Sequence, residues 1–141
     1  VESTRNYTLP SVAMESGTTF GDDISLYGYE TDTNGADLAV TLVWQARQTP
    51  ADNYKVFVHL LDEEGQIIAQ SDAEPADGYS TSGWLDGEVV IDRHRLPLPL
   101  NSEPATYRLR IGLYEAVSGV RVPVVDGSGQ PLPDDAVVLE P

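Results

Sequence analysis

The chain has 141 residues, enough for one domain with its own core, and its 23 acidic and 8 basic residues give a net charge of −15. A field of that sign repels phosphate backbones and anionic lipid surfaces, which excludes nucleic acid as a natural partner. There is no cysteine, hence neither a disulfide framework nor a thiolate metal site, and no apolar run approaches the roughly 18 residues of a membrane span.

Residue 1 is Val rather than Met, which reads as a processed chain or a piece of a longer one. Residues 1–19 read as an N-terminal arm or lead-in strand, and 20–141 as a single domain. Ser11 to Met14 fits a short edge strand, and Gly17 to Asp23 fits a loop. Ile24 to Glu30 alternates with strand period. Thr31 to Asp37, with Asn34-Gly35, marks a turn. Leu38 to Ala46 is the cleanest strand: Leu38, Val40, Leu42 and Trp44 point to the core, and Ala39, Thr41, Val43 and Gln45 point away.

Tyr54 to Asp72 reads as a β-hairpin turning at Asp62-Glu63-Glu64-Gly65. With Glu63-Glu64-Gly65 as the loop, Leu61 faces Ile67, Leu60 faces Ile68 and His59 faces Ala69. Tyr54, Val56, Val58, Leu60 and Ile68 share one side; Phe57, His59, Leu61, Ile67 and Ala69 share the other. Neither side is wholly polar, so the hairpin is expected centrally in a sheet.

Ala73 to Asp86 is a long Gly/Pro-bearing loop, of a length that is either functional or held down by its own aromatics, here Tyr79 and Trp84. Glu88 to Leu96 is a strand, broken by Pro97, Pro99 and Pro104, which cannot donate to a ladder. Ala105 to Ala116 is a strand with Tyr107, Leu109, Ile111 and Leu113 inward and Arg108, Arg110 and Tyr114 outward. Val120 to Val125 and Asp135 to Leu139 complete the set. No segment carries a capped helical period. The expected fold is all-β: a two-sheet antiparallel β-sandwich, jelly-roll-like, with seven to eight strands.

Several runs together carry a resemblance. They are Phe20-Gly21-Asp22, Leu26-Tyr27-Gly28-Tyr29, Thr41 to Ala46, Tyr54 to Asp62 and Gly65 to Asp72. The match continues through Trp84, Gly87-Glu88, Asp92, Leu96 to Pro99, Tyr107 to Glu115 and Asp134 to Leu139. The chain from about Phe20 onward resembles the C-terminal extracytoplasmic domains of bacterial multi-pass membrane proteins similar to dolichyl-phosphate-mannose-type glycosyltransferases. The resemblance implies an accessory, non-catalytic module on the outer side of a membrane. A glycan or the parent membrane protein is the implied partner, and no catalytic residues carry over.

Tyr79 and Trp84, with Asp86 and Glu88 beside them, suit a sugar site: a ring stacks on the apolar face, and carboxylates accept from hydroxyls. The competing reading is that Trp84 plugs one end of the sandwich. His59 and His94 read as satisfied strand residues without metal-ligand spacing. Calcium is the metal that the paired acids Asp22-Asp23 and Asp134-Asp135 would suit, but neither pair has a spaced ligand loop, so no cofactor is assigned. Two functions follow: a glycan-binding accessory module, or a docking domain with no ligand of its own that presents an apolar patch of Phe57, Leu61 and Ile67. A hydrolase built from two carboxylates is a third reading, and it requires a cleft.

Overall fold

The computed structural model describes residues 5–100, 103 and 106–141, with no cis peptide bond among them. Pro104 and Ala105 lie outside these residues, as do positions 1–4. Among the described residues there are nine strands: β1 (Met14–Phe20), β2 (Ile24–Asn34), β3 (Asp37–Ala46), β4 (Tyr54–Leu61), β5 (Ile67–Ala73), β6 (Val89–Pro97), β7 (Arg108–Glu115), β8 (Val124–Val125) and β9 (Val137–Leu139). They form two antiparallel sheets, β6-β3-β2-β1-β8 and β5-β4-β7-β9. The sandwich expected from the alternation is present, with nine strands rather than seven or eight. β1 to β3 form a meander. From β6 onward successive strands alternate between the sheets, the wrapping pattern of a jelly roll. No helix among the described residues is long and apolar enough to cross a membrane.

The core follows from strand parity. Leu38, Val40, Leu42 and Trp44 of β3 face Leu109, Ile111 and Leu113 of β7 across the interlayer, and none is more than 1 % exposed. Phe20 meets Trp44 edge-to-face at 5.2 Å between centroids. Each side chain buried this way contributes about 1.5–3 kcal/mol of transfer free energy.

Three local expectations fail for physical reasons. Gly17 to Asp23 is strand as far as Phe20: Thr18 and Phe20 alternate inward, and a bulge between Glu15 and Thr18 accommodates Gly17 at φ 68°. β2 runs past Thr31, pairing Thr31 with Val40 and Thr33 with Leu38, so the turn shrinks to Gly35-Ala36. The 54–72 hairpin turns where expected, with Asp62 Oδ1 accepting from the N–H groups of Glu64 (3.0 Å) and Gln66 (2.8 Å). Leu61 pairs with Ile67, but Leu60 pairs with Ala69 and His59 with Gln70, because Ile68 is the extra residue of a bulge. β4 is central as expected, between β5 and β7, whereas β5 is an edge strand.

Gly28 is required by close approach: a Cβ there would lie 2.5 Å from Val12 Cγ2 and 2.7 Å from the Met14 carbonyl oxygen.

Candidate functional site

The long loop after β5 is a packed plug. Two 3₁₀ turns, Pro75–Asp77 and Thr81–Gly83, shape it. Thr81 anchors it to the start of β4, donating to the Asp52 carbonyl (2.7 Å) and accepting from Tyr54 N–H (3.0 Å). Trp84 is fully buried and donates Nε1–H to the Tyr79 carbonyl (3.2 Å), with the two rings tilted at 6.2 Å. Glu88, 2 % exposed, accepts from Leu85 N–H (2.9 Å), the Tyr79 hydroxyl (2.7 Å) and Arg5 Nη1 (2.8 Å). Arg5 also donates to the Gly83 carbonyl (2.9 Å), stitching the N-terminal arm onto the loop. Burial alone would raise the Glu88 carboxyl; the hydrogen bonds from Leu85, Tyr79 and Arg5 outweigh it and hold it below its ordinary value.

This geometry corrects the stacking site expected at Tyr79, Trp84, Asp86 and Glu88. A platform for a sugar ring must offer a face to solvent, and Trp84 offers none. Tyr79 is half-buried with its hydroxyl engaged, Glu88 is enclosed, and of the four only Asp86 is exposed.

A second cluster lies where β5 and β6 bring the sheet edges together. The inner face of β6 carries Val90, Asp92, His94 and Leu96, so parity places a carboxylate and an imidazole inside. Asp92 accepts from Trp44 Nε1–H (3.1 Å), Ala76 N–H (2.9 Å) and His94 Nε2 (2.7 Å), and His94 Nδ1 meets Ser71 Oγ at 2.8 Å. Ala76 reaches Asp92 from a left-handed backbone, φ 50°. Every polar atom of the cluster has a partner, as is so of all buried side-chain nitrogens and oxygens among the described residues. The sequence reading of His94 as a satisfied strand residue fits this placement.

The outer face of the four-stranded sheet differs. Cross-strand pairing puts Lys55 beside Tyr114, Phe57 beside Gly112 and Asp72, and His59 beside Arg110 and Gln70. Gly112 leaves room for the Phe57 ring, which a Cβ would strike. The Arg121 guanidinium covers that ring from above at 4.4 Å and donates to the Asp134 carbonyl (2.9 Å). Asp134 and Asp135 present that carbonyl from consecutive left-handed conformations, φ 61° and 49°. Phe57 and Leu61 are 3 % and 7 % exposed, so of the apolar patch expected from Phe57, Leu61 and Ile67 only Ile67 is exposed.

Between these groups lies a concavity of about 330 Å³ lined by Phe57, His59, Asp72, Tyr114, Gly119 and Arg121. Arg110 donates to His59 Nδ1 (3.1 and 3.3 Å), which places the ring proton on Nε2, and Nε2 has no partner among the described residues. Burial, then the charges of Arg110 and Arg121, push the His59 pKa below its ordinary value, so the ring is neutral near pH 7. The Tyr114 hydroxyl donates to Asp72; burial and that carboxylate push it up to about 12, so it keeps its proton. The concavity thus offers the donors Arg121 and His59 Nε2–H, and acceptor oxygens on Asp72 and Tyr114.

A depression of about 370 Å³ adjoins the concavity, sharing Arg121 in its lining, and carries Asp22, Asp23, Asp52 and Glu115. No group of three or more His, Asp or Glu side chains among the described residues is arranged to hold a metal ion.

Sequence reasoning missed this site because it depends on the β4–β7 and β4–β5 pairings. Its signal was present in the shared parity of Phe57 and His59, and in the outward set Arg108, Arg110 and Tyr114.

No protein-family model matches the chain, and no curated protein sequence matches it. Among solved structures, a calcium binding mutant of Bacteroides uniformis beta-glucuronidase 2 is similar over 78 % of this chain and 14 % of its own, at 10 % identity and a TM-score of 0.49. An endonuclease/exonuclease/phosphatase from Beutenbergia cavernae is similar over 82 % of this chain and 26 % of its own, at 15 % identity and a TM-score of 0.38. The chain therefore spans a small fraction of either protein, and with TM-scores this low neither likeness carries an argument about what it does.

Proposed function

We propose that this chain is a non-catalytic accessory β-sandwich that binds a glycan-type ligand on the outer face of its four-stranded sheet. The observation that carries the reading is the concavity at His59, Tyr114 and Arg121. It pairs donors with acceptors at open valences, the requirement for holding a polyhydroxylated ring. The resemblance to extracytoplasmic domains of membrane glycosyltransferases supports the setting: outside the cytoplasm, beside a parent membrane protein. The non-catalytic part rests on the interior cluster. Ser71, His94 and Asp92 are residue types of an acyl-transfer relay, but Ser71 shares the inward face of β5 opposite Val58. The nearby Ala76 N–H is committed to Asp92.

Titration of the protein with a panel of soluble oligosaccharides, followed by amide chemical shifts, tests the reading. Saturable binding that moves the amides around His59, Tyr114 and Arg121, and that Tyr114→Phe with His59→Ala weakens, is the expected result. Binding that maps to the Tyr79–Glu88 loop, or no binding across the panel, overturns it and leaves a docking domain as the better description.

A further inference from the structure

The concavity on the outer face of β4 and β7 holds each of its polar groups to one role. Arg110 stands outside the lining and donates to His59 Nδ1 (3.1 and 3.3 Å), so the ring presents only Nε2–H to the concavity. His59 is 9 % exposed, and Nε2 has no partner among the described residues. Arg121 has donors only; it gives one to the Asp134 carbonyl (2.9 Å) and keeps others. The Tyr114 hydroxyl spends its proton on Asp72, so its oxygen, like the carboxylate, only accepts. His59 pairs with Gln70 whereas Phe57 pairs with Asp72, so donor and acceptor stand in neighbouring rows rather than at one point. Arg121 and Asp72 oppose each other in charge within one lining, and the adjoining depression carries four further acids, so the surroundings disfavour an acidic ligand. A ligand must then accept at His59 and Arg121 and donate at Asp72 and Tyr114. A hydroxyl can do either, and must have its rotor fixed to do one. A secondary amide has fixed roles of its own, a C=O that only accepts and an N–H that only donates, and matches the site without that ordering cost.

Resting on the glycan reading above, we propose that the sugar bound at this concavity is a neutral N-acylated amino sugar. Its amide carbonyl accepts from the His59 Nε2–H and Arg121, and its amide N–H donates to an oxygen of Asp72 or Tyr114. Arg110 is a positioning residue: it touches no sugar and fixes the His59 tautomer on which the match depends.

The test compares three oligosaccharides of matched length and linkage by calorimetric titration of the whole chain: a glucan, its acetamido counterpart and its free-amine counterpart. A blocked dipeptide serves as an amide without a sugar. The acetamido ligand is expected to bind at least about tenfold more tightly than the glucan and than the free amine. The ring-nitrogen resonances of His59 should show a single Nε2–H tautomer. Arg110→Met should turn that into a tautomer mixture and cut the acetamido preference to less than about threefold. Arg108→Gln, whose guanidinium pairs with Glu140, should change neither. Thermal unfolding of each variant is read alongside. If Arg110→Met is poorly folded, Asp72→Ala at its exposed position carries the test: it frees the Tyr114 proton and should reduce the preference likewise. Equal or tighter binding of the glucan or of the free amine at this face overturns the amide assignment and leaves the glycan reading standing. A preference indifferent to the variants, or a His59 proton on Nδ1, overturns the assignment as well. Binding of none of the sugars, or of the dipeptide as tightly as the acetamido sugar, overturns both.

Discussion

His94 and His59 stand on different sheets and show two uses of the same side chain. His94 is inside, with Asp92 on one ring nitrogen and Ser71 on the other, and Asp92 in turn takes Trp44 and Ala76. His59 is on an outer face, with Arg110 on Nδ1 and no described partner on Nε2. A closed list of partners marks a group that holds the fold; an open valence facing a concavity marks a group that can hold something else. The Tyr79–Glu88 loop belongs with the first kind. Its aromatics and carboxylate have the composition of a sugar site, yet their bonds to one another, to Arg5 and to the loop's own backbone consume their valences.

The comparison breaks most easily at Asp92. Its removal leaves three donors, the buried imidazole's among them, without their acceptor, so Asp92→Ala should cost about 3–5 kcal/mol in a denaturant titration. A cost below about 1 kcal/mol would show that the interior cluster does not hold the sheet edges. Trp84→Ala should cost about as much or slightly less, about 3–5 kcal/mol from cavity formation, while any glycan affinity measured on folded protein stays unchanged. Lost binding with unchanged stability would return the site to the Tyr79–Glu88 loop.

The smallest expected effect is the pH dependence that separates the two kinds of site. The His59 pKa is depressed on folding, by burial first and then by Arg110 and Arg121, so between its folded and unfolded values the unfolded chain binds more protons. The stability this contributes is full above the unfolded value, about 6.5, and is lost as pH falls through the folded value. His59→Gln should therefore flatten the fall in stability from about pH 7 to 5. The carboxyl of Glu88, depressed by its hydrogen bonds against the cost of burial, acts in the same direction at lower pH, and Glu88→Gln should leave the pH 7 to 5 interval unchanged. A steeper slope in His59→Gln contradicts the assigned neutral ring.

The layers of the fold were legible because parity alone decides them: Leu38 to Trp44 and Leu109 to Leu113 can bury only one way. Glycine-rich punctuation misled where a bulge absorbed it, at Gly17, and a one-residue bulge at Ile68 shifted the hairpin register. The candidate site was legible only in halves. Tyr114 and Arg110 read as outward, and Phe57 and His59 as sharing a side, but their meeting depends on β7 pairing with β4, which no local pattern encodes. Burial of Trp84 was one of the two readings the sequence offered, but what decides it, Thr81 tying the loop down to Asp52 and Tyr54, was not legible.

Amide shift mapping during titration with a mixed set of neutral and acidic oligosaccharides tests the central claim most directly. Binding at the outer face predicts shifts centred on His59, Asp72, Arg110, Tyr114 and Arg121, with Trp84 and His94 unmoved. Shifts centred on Trp84 and Asp86, or none with any sugar, would contradict it.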